Sequence, residues 1–599
     1  MPSTNYQHND SPIEKSISNL IGRITLEEKI GQMTQVEKNS INPEDVGNYF
    51  IGSILSGGGG HPASNTPSAW ADMVDTYQKY ALKTRLSIPL IYAVDAIHGH
   101  SNMHGAVIFP HNIGLGAARN PDLVYQIGRA TAEEMVATGI YWNFAPTIAV
   151  PQDIRWGRTY EGFSENTELV NNLGVAYLRG LQGDGLDTTN SVLATPKHYL
   201  GDGGTAWRSS TFMSNLLDQG DTRIDEATLR KIHLPPYVGA IKNGAMCIMA
   251  SFSSWNGLKM TANSYLLSDI LKGELGFKGF IISDWQAVDQ LSDDYYQAVV
   301  LAINAGIDMN MVPYAYKKFI STLLRAVQQG DVSESRIDDA VSRILLVKYM
   351  LGLLERPFAQ RALLPNVGSE LHRLLARQAV SESLVLLKND PQTLPIAKNI
   401  KMILVAGRGA DNLGIQCGGW TIEWIGTDGN QLPGTTILQG LKNSVSPDTR
   451  VIYSPSGKFD ADLKEDRKAA LAEVGIVVVG ETPYAEGIGD REDLSLTEID
   501  VELIHQMRSK CQSLVVILIS GRPMIITDEL PLIDAFVCVW LPGQEGAGIT
   551  DVLFGDKPFK GRLPYTWPKS MDQLPFSFEK RLAGDEAPLF PSGYGLKTQ

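Results

Sequence analysis

Cysteine is scarce in this chain and basic residues are outnumbered. The four cysteines, Cys247, Cys417, Cys511 and Cys538, are scattered without paired spacing, which excludes a disulfide framework and a zinc ribbon. Lys and Arg together number 52 against 66 Asp and Glu, a net charge of −14. Nucleic acid and anionic membranes both need a basic surface, so neither is expected as a partner. No run of about eighteen apolar residues occurs, and Met1 to Lys15 is polar, without the apolar stretch of a leader peptide. The compartment is therefore the cytoplasm, or the periplasm or exterior if this is the mature form of an exported protein. Internal repeats and low-complexity tracts are lacking too; Gly57 to Gly60 is only a short flexible turn.

What is present is an ordinary globular composition, 43% hydrophobic and 20% charged, over 599 residues. That length exceeds one hydrophobic core and implies two or three domains. From about residue 50 to 312, short apolar runs alternate with helical patterns: Gly52 to Gly57, Pro89 to Asp95, Tyr141 to Pro146, Ser191 to His198, Met246 to Phe252, Gly279 to Asp284 and Gly306 to Met311. That rhythm predicts a parallel sheet with helical crossovers, a (β/α)8 TIM-like barrel occupying residues 1–355. Turn-rich sequence makes 356–375 a linker. Five further buried-strand candidates, beginning at Lys401, Arg450, Val474, Leu514 and Asp534, predict an open α/β sandwich domain over 376–570. Residues 571–599 read as a tail packing back on the domains, with no added β-sandwich module.

Several barrel runs end in a polar residue, and a parallel barrel gathers such residues on one rim. Lys-Gly-Phe-Ile-Ile-Ser-Asp-Trp, ending at Asp284 and Trp285, is the most informative case. An apolar strand stops at a carboxylate, a candidate nucleophile, beside an indole whose face suits the C–H face of a sugar. Lys197-His198 ahead of a glycine-rich loop can donate to several hydroxyls of one ligand, and Arg155 and Arg158 around Trp156 make either a structural ion pair or a planar fork presented to a ligand. Asp95 suits a pair of sugar hydroxyls; His98 and His100 beside it have metal-like spacing but no third ligand. In the second half, Glu486 lies in a glycine-flanked loop after an apolar strand, where Glu481, Asp490, Glu492 and Asp493 compete with it for a proton-donor role. Trp420 and Trp424 in a second aromatic loop complete the set.

These motifs stand in one order: Lys197-His198 before Gly-Asp-Gly-Gly-Thr, Ser251 to Gly257, Ser283-Asp284-Trp285, the Cys417 to Trp424 loop and the Glu486 loop. In that order the chain resembles glycoside hydrolase family 3, and most of all the two-domain β-D-glucan exohydrolases and β-glucosidases of cereal type, across residues 10 to 595. The resemblance implies a retaining, exo-acting β-glucosidase acting on β-glucosides and β-glucooligosaccharides; no cofactor or metal is expected, and the oligomeric state, monomer or homodimer, stays open. It implies Asp284 as nucleophile, Glu486 as acid/base, a glucose held by Asp95, Arg158, Lys197 and His198, and Trp285 and Trp424 clamping the next sugar. Phe252 stands where those enzymes have tyrosine, Gln290 where an arginine is expected, and the acid expected around Trp207 to Thr211 is missing. β-Xylosidase and β-N-acetylglucosaminidase of the same family are the alternative enzymes, though the Asp-Ser-His motif of the latter is absent. An inactive sugar-binding homologue is the remaining alternative; it would keep the aromatics and lose a carboxylate, whereas Asp284 and Glu486 are both present.

Overall fold

The computed structural model describes residues 12–390, 392–459, 471–576 and 587–598. Among these, eight short parallel strands form the barrel: β1 Thr34–Glu37, β2 Ser53–Ser56, β3 Ile91–Val94, β4 Trp142–Asn143, β5 Leu193–Ala194, β6 Cys247–Met249, β7 Phe280–Ile282 and β8 Asn310–Met311. Six pair in the order β8-β1-β2-β3-β4-β5, and β6 pairs with β7. Bridges from Tyr199 to Ala250 and from Ile282 to Met309 join the two groups and close the ring. The strands run parallel, so all eight C-terminal ends, and the loops that leave them, share one rim.

Local chemistry places the helices. The helices Thr167–Gln182 and Ser333-capped Glu334–Met350 begin at side chains that accept from the first-turn N–H groups, and Pro67 and Pro121 sit at first helical positions behind Thr66 and Asn120. Strand β7 needs Gly279 ahead of it: a Cβ there would come within 2.0 Å of the Met246 carbonyl oxygen. The barrel floor is closed by Lys348, which is fully buried and donates to Gln32, Gly52 and Pro89.

The first strand differs from expectation. β1 lies ahead of residue 50, where the apolar rhythm begins, because Thr34, Gln35 and Glu37 are buried polar residues and hide the strand from any hydrophobic count. Among the described residues the second domain has six strands: β9 Val385–Asn389, β10 Met402–Ala406, β11 Arg450–Ser454, β12 Ala472–Gly480, β13 Cys511–Ile519 and β14 Ala535–Trp540, in the order β9-β14-β13-β12-β10-β11. β9 is the strand the sequence reading lacks; it runs antiparallel to β14 at the sheet edge. Residues 587–598 return to it, with Leu596 donating to the Leu386 carbonyl at 2.8 Å. The stretch read as a linker is pinned to the barrel, Gln360 donating to the Val136 carbonyl and Gly368 to Glu134. All four cysteines are buried and free.

Candidate active site

Asp284 follows β7 at the rim and is buried. Its Oδ1 accepts from the Trp285 backbone N–H at 2.6 Å, while Oδ2 lies 3.6 Å from His198 Nε2 and hydrogen-bonds to no described residue. Desolvation pushes this carboxyl up to about 6, against the pull of Arg158 and Lys197. After β5, Lys197 Nζ bonds Asp95 Oδ1 at 2.8 Å, so the residues ending β5 and β3 hold one another. His198 Nδ1 meets Asp202 Oδ2 at 2.8 Å and Nε2 lies 3.2 Å from Arg158. Desolvation, then Arg158 and Lys197, drive the imidazole well below its usual range; as a neutral ring it donates from Nδ1 and accepts from Arg158 at Nε2.

Arg158 is the hub. Its guanidinium forks onto Glu161 at 2.9 and 2.8 Å and reaches Glu486 Oε1 at 3.2 Å. Glu486 comes from the other domain, in the short helical turn Glu486–Gly489 after β12. Its side chain is about a fifth exposed. Desolvation, with Asp218, Asp284 and Glu161 nearby, outweighs Arg158 and pushes its carboxyl up to about 8. The site thus holds one carboxyl that ionises easily enough to attack and one that keeps its proton at neutral pH.

Glu486 is delivered by close backbone approach. A Cβ on Gly157 would lie 1.9 Å from the Glu486 carbonyl oxygen, and one on Gly487 would meet the Asn215 side chain at 2.2 Å. Asp490 anchors the turn to the barrel: Oδ1 accepts from Gly157 N–H at 2.8 Å, and Oδ2 from the backbone N–H groups of Leu216, Leu217 and Asp218 at 2.7 to 2.9 Å. Glu481, another contender in that loop, is committed elsewhere. It is buried against Arg522, Ser520, Tyr484 and Arg491 and held below its ordinary range. Glu492 pairs with Arg208 on the exposed surface, and Asp493 caps its own loop at Ser495.

The aromatic loop behaves in two ways. Trp420 is buried, donates from its indole to Glu161 at 3.1 Å and faces Lys197, with Nζ 5.7 Å from the ring, so it forms pocket wall behind Arg158. Trp424 is part exposed and lies against Gly58, while Trp285, also part exposed, lies against Gly57. The turn after β2 therefore gathers both tryptophans at one mouth, and a Cβ at Gly58 would collide with the Trp424 backbone at 2.5 Å. Phe252 is buried after β6, and its carbonyl accepts from Lys259, which also bonds Gln290 at 3.0 Å. A cation thus reaches the neighbourhood of position 290 from a different loop.

Asp218 is the residue that sequence reading passed over. Buried and bonded to the Trp156 indole at 3.0 Å, it is pushed up to about 6 by desolvation and acts on both Arg158 and Glu486. It brings a carboxylate to this corner seven residues beyond the stretch where one was found missing; no motif marks it. His98 and His100 belong to the core. His98 stacks on His111 at 3.7 Å and bonds Phe109 and Thr421, and His100 bonds Thr138.

A barrel rim carrying two desolvated carboxyls, a shared arginine and part-exposed tryptophans is the working face of a glycoside hydrolase, an enzyme that cleaves O-glycosyl bonds. The chain belongs to glycosyl hydrolase family 3: residues 25–347 match the family's N-terminal domain and residues 384–598 its C-terminal domain. It is 34% identical to the lysosomal beta glucosidase of Dictyostelium discoideum over 97% of this chain and 75% of that protein. A solved variant of the exo-1,3/1,4-beta-glucanase of a Pseudoalteromonas species is 40% identical with a TM-score of 0.91, covering 100% of this chain and 97% of that one. A beta-glucosidase of Listeria innocua, solved in complex with glucose, is 26% identical with a TM-score of 0.84 over 98% of this chain and 83% of that one.

Proposed function

We propose that this enzyme is a retaining, exo-acting β-glucosidase that releases glucose from the non-reducing ends of β-glucosides and β-glucooligosaccharides. The observation that carries the reading is the pairing of Asp284, at about 6, with Glu486, at about 8, on either side of Arg158 and His198. Asp284 Oδ2 attacks the anomeric carbon while Glu486 gives its proton to the departing glycosidic oxygen. The bond to the aglycone breaks and a glucosyl ester of Asp284 forms. Water then attacks the same carbon, Glu486 takes the water's proton, and Asp284 leaves as carboxylate, so two inversions return the β configuration. Asp95, Arg158, Lys197 and His198 hold the terminal glucose, and Trp285 and Trp424 flank the sugar that follows.

The test is hydrolysis of a chromogenic β-glucoside beside the β-xyloside and the β-N-acetylglucosaminide, with proton NMR of the first product. Preferred turnover of the glucoside with β-glucose appearing first is expected. Faster turnover of the xyloside, or initial α-glucose, overturns the reading. The xylosidase comparison has weight because a β-xylosidase of Formosa agariphila is 28% identical over 98% of this chain and 80% of that protein, and the two pockets differ only in how they treat one hydroxymethyl group.

A further inference from the structure

A groove of about 530 Å³ opens on the same rim, between the loops that leave β1 and β8. One wall is Asn39 to Asn42 and the other Tyr314 to Lys318. The loops are tied together, Glu37 N–H donating to the Pro313 carbonyl at 3.2 Å, and Tyr316 on the floor is buried with its hydroxyl on Asp45 at 2.7 Å. The groove's two ammonium groups are already engaged: Lys317 pairs with Asp45 at 2.8 Å and Lys318 sits over the Tyr295 ring at 4.2 Å. Lining of this kind, without an unengaged charge, suits a neutral ligand.

Two features connect this groove to the catalytic pocket. Tyr314 is 54% exposed, a large aromatic left open to solvent, and its ring meets Trp285 edge-on with centroids 5.6 Å apart. Trp285 adjoins the nucleophile. Asn42, at the far lip, is exposed and makes no cap bond to the helix it precedes, which leaves its amide available to a ligand. An open aromatic face beside the indole that adjoins the nucleophile, with the Asn42 amide in the same groove, is the chemistry of a track for successive sugar rings.

We propose that the groove lined by Tyr314 and Asn42 is a distal subsite that takes the third and later glucosyl units of a β-glucooligosaccharide whose terminal unit sits at Asp284. The inference rests on the β-glucosidase reading above and adds a dependence on chain length. It is tested with the full-length enzyme on 4-nitrophenyl β-glucoside and on β-1,3- and β-1,4-glucooligosaccharides of two to six units. In the wild type, kcat/KM should rise between two and four units. Tyr314→Ala and Asn42→Ala should each lower kcat/KM about 5- to 20-fold for four to six units, through KM, while leaving the aryl glucoside and the disaccharides within about twofold.

Binding of the hexasaccharides to full-length Asp284→Asn, measured by titration calorimetry, should weaken by a similar factor when either groove substitution is added. A wild-type rate that does not grow with length overturns the proposal, and so does an Asn42→Ala variant that binds hexasaccharides normally. A Tyr314→Ala effect equal at all lengths overturns it as well, by making Tyr314 only a prop for Trp285. Loss of the function reading would look different, as no turnover of any β-glucoside by the wild type.

Discussion

Asp284 Oδ2 is buried without a hydrogen-bond donor among the described residues, and in the proposed mechanism this deficiency serves the attack. A fully solvated carboxylate attacks poorly, whereas one stripped of donors at Oδ2 keeps its lone pairs for carbon. Asp284→Asn should abolish turnover. Because the folded value, about 6, lies above that of an unfolded aspartate, the native state holds the proton more tightly, and stability is lost as pH rises through that interval. The amide carries no such penalty, so the same variant should melt higher than wild type at pH 8, by a gain on the order of 2 kcal/mol; a lower melting point would contradict it. The proposed mechanism needs Asp284 ionised and Glu486 protonated. The profile of kcat/KM should therefore rise through about 6 and fall through about 8. Glu486→Ala should slow cellooligosaccharides far more than aryl glucosides with good leaving groups, azide should partly restore the latter, and the alkaline limb should vanish.

At the scale of the element, the turn Glu486–Gly489 has no stability of its own. Glu486 takes a positive φ of 51°, uncommon for a residue with a side chain, and the turn is held by Asp490 reaching four backbone N–H groups of the barrel. Asp490→Ala frees those groups and lets the proton donor wander. A displacement of about 1 Å can cost on the order of a hundredfold in rate. We expect kcat on cellobiose to fall about 10- to 100-fold and kcat on 4-nitrophenyl β-glucoside less than about fivefold, a split that stopped-flow and steady-state kinetics would resolve. An equal loss on both would assign Asp490 to folding alone.

For the whole molecule, the catalytic unit is the docked pair of domains. Arg522, fully buried after β13, binds Glu481 of its own domain at 3.2 Å and the Arg155 carbonyl of the barrel at 3.0 Å. Removing one member of a buried ion pair leaves a charge without compensation and costs about 3–5 kcal/mol. Arg522→Met should lower the urea midpoint accordingly and abolish activity at urea concentrations below those at which secondary structure is lost; an unchanged midpoint would show that the domains dock without it.

The alternation of apolar runs and helical patterns was enough to define a barrel and a layered second domain, since strand periodicity and burial are written in local residue choice. It was enough, too, to place Asp284 and Lys197-His198 on the rim, because a strand's end is visible as the place where apolar residues stop. β1 escaped because its buried residues are polar, and β9 because an edge strand beside a linker has no repeat to belong to. Choosing Glu486 over Glu481 by geometry, finding Asp218, and separating Trp420 as wall from Trp424 as mouth all required the folded chain. Which of several loop carboxyls loses its solvent and meets Arg158 depends on how two domains, more than 300 residues apart at Arg158 and Glu486, press their surfaces together. Desolvation and Coulomb forces act through space, and sequence spacing carries no record of that distance.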